Sequence, residues 1–234
     1  MSVSIVIPIY NEEEIVDRAV KGLLLALEKV AVPFEVILAE NGSTDATLST
    51  AQSLAANDCR VKVIHLALPD YGQAMRQGFL AASSDFLVNF SIDLINLDFL
   101  QEALRELERS DVVLGSKYVA RGYDRRPLAR RIGGRLLSRF VRVLFGLSVS
   151  DTHGLMGLRR EKVIALLERC HFGHEIFDTE LVVRAHQVGL SIREIPMFVE
   201  EERPSRMGSL RRALRMLIQL VRLRLWLWRE GPPT

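Results

Sequence analysis

The chain has 234 residues, 48% hydrophobic and 26% charged, which gives enough apolar material for one sizeable core and an ordinary charge load. A net charge of +2 gives no general attraction for nucleic acid, and two cysteines, Cys59 and Cys170, offer neither a metal spacing nor a disulfide framework. No charge-free apolar run approaches the roughly 18–20 residues that span a bilayer, and Met1 leads into a strand rather than a signal peptide.

Residues 4–9 are a short β-branched run stopped by Pro8-Ile9-Tyr10-Asn11, which predicts a buried strand ending in a turn. Helical spacing of Ile15, Ala19, Leu23 and Leu27 predicts a helix over 12–30, and Glu12, Glu13 and Glu14 suit its N-terminus. A second strand over 34–39 closes with Glu40-Asn41-Gly42-Ser43. A helix from about 45 to 56 and a strand over 61–66 follow. A helix over 72–82 leads to a fourth strand, 86–92, and to Asp93. Then come a helix at 98–109, a strand at 112–116 and a long basic helix at 128–147. Helices at 161–170 and 176–188 precede a last strand, 191–199, and a closing basic helix, 209–229. Such alternation predicts an α/β fold, a mainly parallel sheet flanked by helices on both faces. The division expected is a domain over 1–208 and an amphipathic helix over 209–234.

The charge is uneven. Arg121, Arg125, Arg126, Arg130, Arg131, Arg135, Arg139 and Arg142 crowd one segment, and Arg203 to Arg229 another, a positive field suited to phosphates or an anionic membrane surface. In the closing helix, 100° steps gather Arg211, Arg212, Arg215, Arg222 and Arg229 in one sector. Leu210, Leu214, Leu217, Val221, Leu225 and Trp228 lie outside it. That pattern suits a helix lying in a membrane interface, or one packed on its own domain, a membrane-protein partner or a second copy.

Three polar clusters fall at successive strand ends: Tyr10-Asn11-Glu12, Glu40-Asn41-Gly42-Ser43 and Ser91-Ile92-Asp93. Ligands of open parallel sheets bind at such ends. Val6-Ile7-Pro8-Ile9-Tyr10-Asn11-Glu12 resembles the opening of family 2 glycosyltransferases, and Asn41-Gly42-Ser43-Thr44-Asp45-Ala46-Thr47 their second signature. Tyr71 to Gly78 is similar to their Gly-x-x-x-Ala-x-Asn-x-Gly helix, and Gly115-Ser116-Lys117-Tyr118 to a later Gly-Ser-Arg-Tyr strand. Phe177-Asp178-Thr179-Glu180-Leu181 and Ile192-Arg193-Glu194-Ile195-Pro196 extend the resemblance over about 3–209, nearest the dolichyl- or polyprenyl-phosphate mannose synthase branch.

The resemblance implies a glycosyltransferase A-type fold and inverting transfer of a hexose, mannose or glucose, from a nucleoside-diphosphate sugar to a polyprenyl or dolichyl phosphate. The protein would be cytoplasmic, peripheral to the membrane face. It implies donor binding by Pro8, Tyr10, Asn11, Glu12, Glu40, Gly72, Arg76 and Ser91, and Mg²⁺ or Mn²⁺ held through Asp93. Asp93, Asp178 and Glu180 would be catalytic, and Lys117, Arg130, Arg131, Arg203 and Arg206 would hold acceptor phosphate. The residues allow plainer roles: a strand-to-helix turn for Tyr10 and Asn11, a helix start for Gly72, a solvated charge for Arg76, and helix-start carboxylates for Asp178 and Glu180. The chain also departs from the family pattern, with Ser91 where an Asp-x-Asp motif begins, Ile95 where the branch has Gln, and Glu40 and Lys117 for Asp and Arg. A non-catalytic sugar-nucleotide binder or scaffold of the same fold therefore stands as the alternative.

Overall fold

In the computed structural model of the chain, residues 1–119, 123–124, 127–199 and 209–231 are described. Strands β1 (Val3–Ile9), β2 (Phe34–Asn41), β3 (Val61–Leu66) and β4 (Phe86–Asn89) alternate with helices α1 (Val16–Leu27), α2 (Thr47–Asn57) and α3 (Tyr71–Ala81). There follow α4 (Leu97–Glu106), β5 (Val112–Ser116), β6 (Tyr123–Asp124), α5 (Leu128–Phe145), β7 (Met156–Arg159) and α6 (Arg160–Arg169). Last come α7 (Phe177–Gln187), β8 (Ile192–Pro196), β9 (Phe198–Val199) and α8 (Ser209–Glu230).

Seven strands form one sheet in the order β3-β2-β1-β4-β7-β5-β8, and β6 pairs with β9 apart from it. β2 and β4 flank β1 in parallel, so the chain winds one way from β1 to β3 and crosses back to β4. That reversal opens a crevice over the carboxyl ends of β1 and β4. Alternate side chains of β1 feed two cores, as the two-residue repeat of a strand requires. Ile5, Ile7 and Ile9 join α1 and α4 residues such as Val20, Leu23 and Leu100. Val6 joins α3, α6, α7 and α8 through Met75, Phe79, Leu167, Phe177 and Leu220.

The predicted α/β architecture is present, with four local differences. First, α1 begins at Val16 rather than residue 12, because Asn11 sits at φ 53° and Glu12–Ile15 form a turn closed by Ile15 and Val16 amides on the Glu12 carbonyl. Second, β4 stops at Asn89 rather than 92: the Asn89 side chain, not its backbone, accepts the next amide of β7, from Met156 at 2.6 Å. Third, β7 was not predicted. Its four residues, Met-Gly-Leu-Arg, carry no alternation, and it runs antiparallel between β4 and β5. Finally, the single strand expected over 191–199 is two, parted where Met197 N–H bonds the Ser116 carbonyl.

Candidate active site

The loops after β1 and β2 are stitched together by side chains from the matched motifs. Asn11 accepts the Thr44 amide at 2.9 Å and donates its own amide to the Ser43 hydroxyl at 3.0 Å. The Glu12 amide donates to the Thr47 hydroxyl at 2.7 Å. Tyr10, 41% exposed, is carried outward on this brace. Glu40 is fully buried, and both its oxygens are engaged: one accepts the Ser43 amide at 2.6 Å, the other meets His65 Nδ1 at 2.5 Å. Burial alone would raise its pKa, but Ser43, His65 and the Gly42 amide outweigh it and hold the carboxyl below its usual range. Glu40 thus anchors the loop, while its half-exposed partner His65 stands at the sheet's end, across from it in register.

A cleft of about 230 Å³ lies over the ends of β1, β4 and β5, with Pro8, Tyr71, Asn89, Ser91, Lys117, His153 and Asp178 in its walls. Asp178, 5% exposed, starts α7 there. Its Oδ2 accepts the Tyr71 hydroxyl at 3.2 Å, and its Oδ1 is buried without a partner. Burial pushes this carboxyl up to about 7, against the opposing pull of the Tyr71 hydrogen bond. A buried carboxyl with a raised pKa in a cleft marks a candidate functional group.

At the end of β4, Ser91 donates to Asp93 Oδ1 at 2.6 Å, and the two form the corner of a tight turn closed by the Leu94 amide on the Ser91 carbonyl. Among the described residues no three His, Cys, Asp or Glu side chains come together as a metal cage. A hard divalent cation held partly by substrate phosphates needs as few as one or two protein carboxylates. Ser91 and Asp93 therefore fit a cation completed by diphosphate oxygens.

Lys117 reaches the cleft, but its ammonium is bonded to Asp151 and both side chains are buried, at 8% and 5% exposure. Its charge is met within the protein. The Asp151 corner is in turn held by Glu194 of β8, which accepts the Ser150 and Asp151 amides at 2.9 and 3.1 Å. Sequence reading missed Tyr71, His65, Asn89, Asp151 and His153. The only available signal for the last two was a polar run, Ser150 to His153, and it precedes the strand that could not be foreseen.

Three expected site residues serve elsewhere. Gly72 is required by packing: a Cβ there would lie 2.6 Å from Gly173 Cα, so the glycine seats the 173–174 loop against α3. Arg76 caps the end of α6, donating to the Leu167 and Glu168 carbonyls at 2.8 and 2.9 Å, instead of facing a diphosphate. Glu180 is fully buried, accepts the His171 and Phe172 amides and pairs with Arg184 at 2.9 Å; it does not line the cleft. Arg131 lies on α5, its Nε buried without a partner. Arg203, Arg206 and the Arg130 side chain lie outside the described residues.

A profile of glycosyl transferase family 2 matches residues 4–167. The chain belongs to that family. It is 32% identical over 230 residues to the glycosyltransferase AglD of Haloferax volcanii, covering 95% of this chain and 37% of that one. It is 28% identical over 181 residues to the undecaprenyl-phosphate 4-deoxy-4-formamido-L-arabinose transferase of Pectobacterium atrosepticum, covering 73% of this chain and 52% of the other. The chain thus spans about a third to a half of these curated relatives. The fold is the glycosyltransferase A-type. Glucosyl-3-phosphoglycerate synthase of Mycobacterium tuberculosis, solved with Mn²⁺ and UDP, superposes with TM-score 0.69 at 21% identity, covering 95% of this chain and 79% of that one. Mannosyl-3-phosphoglycerate synthase of Rubrobacter xylanophilus gives 0.73 at 15% identity, covering 100% and 77%.

Proposed function

We propose that this chain is the catalytic domain of an inverting glycosyltransferase. It moves a hexose, mannose or glucose, from a nucleoside-diphosphate sugar to a polyprenyl or dolichyl phosphate at the cytoplasmic face of a membrane. The observation that carries the reading is the cleft over the carboxyl ends of β1, β4 and β5, where the matched family segments bring Pro8, Ser91, Lys117 and Asp178 together. Undecaprenyl phosphate, in the name of the Pectobacterium relative, supports the lipid side.

The acceptor phosphate oxygen attacks the anomeric carbon as the bond from that carbon to the diphosphate oxygen breaks, leaving a sugar-phosphoryl lipid and a nucleoside diphosphate. A phosphate monoester, with its second pKa near about 6, is already ionised at neutral pH and needs no strong base. Were the acceptor an alcohol, Asp178 would take its proton. Asp93, with the Ser91 hydroxyl, would hold a Mg²⁺ or Mn²⁺ beside the leaving diphosphate, and the ion would supply charge neutralisation there. Tyr10 and His65, exposed near the carboxyl ends of β1 and β3, would meet the nucleoside. A second reading, a non-catalytic sugar-nucleotide binder, is favoured by one observation: the Ser91 hydroxyl is turned onto Asp93 where a second carboxylate would stand.

The deciding assay incubates the protein with radiolabelled UDP-glucose or GDP-mannose and vesicles carrying undecaprenyl or dolichyl phosphate. Lipid-soluble label that disappears in Asp93→Ala is expected. Nucleotide binding by calorimetry with no labelled lipid from any donor would favour the non-catalytic reading.

A further inference from the structure

Helix α5 presents three faces. At 100° per residue, Leu137, Val141 and Leu144 turn into the core. Beside them runs an apolar stripe left outside it: Ile132, Leu136, Phe140 and Val143 are 50%, 65%, 38% and 79% exposed. Next to that, within a sector of about 80°, come Arg131, Arg135, Arg139 and Arg142. Among the described residues no carboxylate pairs with Arg135, Arg139 or Arg142. Behind these three lies an open groove of about 790 Å³ that reaches back to Lys117 and Ser138. Because Asp151 already meets the Lys117 charge, the groove's positive field comes from the arginines.

Helix α8 repeats the arrangement. Met216, Leu220, Leu223 and Leu227 are buried, while Leu214, Val221, Leu225 and Trp228 are exposed on the opposite side, with Arg215, Arg222 and Arg229 beside them. A water-facing helix has no use for a long exposed apolar stripe. A protein surface could cover the stripe, but it would also have to supply carboxylates along both helices. An anionic bilayer offers hydrocarbon and, at an adjacent depth, a layer of phosphates.

We propose that Arg135, Arg139 and Arg142 form a seat for the headgroup phosphates of anionic phospholipids, between the bilayer-facing apolar stripe of α5 and the donor cleft. The seat is built on these three arginines and not on Lys117, whose charge Asp151 already meets. The inference rests on the reading of a membrane-facing protein, and not on sugar transfer.

The test is flotation of the full chain, without any sugar donor, on vesicles of phosphatidylcholine alone, of a phosphatidylcholine–phosphatidylglycerol mixture, and of phosphatidylcholine carrying undecaprenyl phosphate. Binding to the phosphatidylglycerol mixture is expected at low salt, weakening as added salt screens the arginines. Arg135→Gln/Arg139→Gln/Arg142→Gln should lose affinity for that mixture on the order of a hundredfold, since each basic residue contributes about 1 kcal/mol at an anionic surface. Its melting temperature should match the parent's, as these side chains hold nothing within the fold. Leu136→Glu/Phe140→Glu should lose binding to every vesicle. Equal binding to the neutral and phosphatidylglycerol vesicles, or an unaltered triple variant, would overturn the proposal. So would binding that answers to undecaprenyl phosphate and not to phosphatidylglycerol. If the triple variant does not fold, the salt dependence of the parent's binding decides in its place, and binding indifferent to salt overturns the proposal. Vesicle binding without transfer would sink only the catalytic reading, and transfer without phosphatidylglycerol dependence only this one.

Discussion

Asp178 is held in a state the fold would not choose for stability alone. Its folded pKa, about 7, lies above the 3.8 of a free aspartate. The folded state therefore holds the proton more tightly, and stability falls as pH rises from about 4 to 7 before levelling. Asp178→Asn should remove that loss: its melting temperature should exceed the parent's by roughly ten degrees at pH 8, on the order of 4 kcal/mol, and converge with it near pH 4. Parallel melting curves across that range would show that Asp178 does not titrate as described. Ser91 is the complementary case, a hydroxyl on Asp93 at a corner where a second carboxylate would strengthen a cation site that otherwise relies on diphosphate oxygens. Ser91→Asp should bind Mn²⁺ at least tenfold more tightly than the parent in the absence of nucleotide, read by the loss of the free Mn²⁺ electron spin resonance signal. Unchanged affinity would mean that the turn aims position 91 away from the cation.

Among the elements, α3 shows how a motif can have the right residues and a different job. Gly72 and Gly173 pack backbone to backbone, and Asp70 ties both sides, accepting the Gln73 amide at 3.0 Å and the His174 amide at 2.7 Å. The same contact seats Tyr71 beside Asp178. Gly72→Ala should therefore destabilise the domain by about 1–3 kcal/mol, as overpacking does, and perturb Asp178 without touching a ligand. A melt unchanged within error would show that the 173–174 loop yields freely. β7 is the opposite lesson. Gly157 lets it lie close to α4, where a Cβ would come 3.2 Å from Ala103 Cβ and from Leu107 Cδ1. That intimacy leaves no trace in hydrophobic periodicity.

For the whole molecule, the two ends of the sheet divide the labour. The carboxyl ends carry the cleft; near the amino ends a buried network holds the layers in register. Glu35 accepts the Ser4 hydroxyl at 2.6 Å and the Ser83 amide at 2.7 Å, and pairs with Lys62 at 2.6 Å. Burial works against its ionisation, but Lys62, Ser4 and Ser83 prevail and bring its pKa to about 2. A depressed carboxyl stabilises the fold above its unfolded pKa near 4.5, and that contribution, about 3 kcal/mol, is lost as pH falls toward 2. Glu35→Gln should lower stability at pH 7 and flatten the acid limb of the pH–stability curve. A parallel limb would place the acid sensitivity elsewhere.

Much of this protein could be read without coordinates, because it depends on neighbours along the chain. Strand and helix periods, the Pro8–Glu12 and Asn41–Thr47 turns and the arginine-rich helices are local patterns, and from them came the α/β fold, the family and the crevice at the strand ends. The tertiary structure decided what each polar group faces. It turned Arg76 onto α6, sealed Glu180 beneath the 171–172 loop, met Lys117 with Asp151, and put Tyr71 on Asp178 from more than a hundred residues away. It also split each basic helix into packed, apolar and charged stripes, which a hydrophobic pattern alone cannot separate into core and surface. The physical reason is shared: a charge or a methyl takes its role from what surrounds it, and those surroundings come from distant parts of the chain.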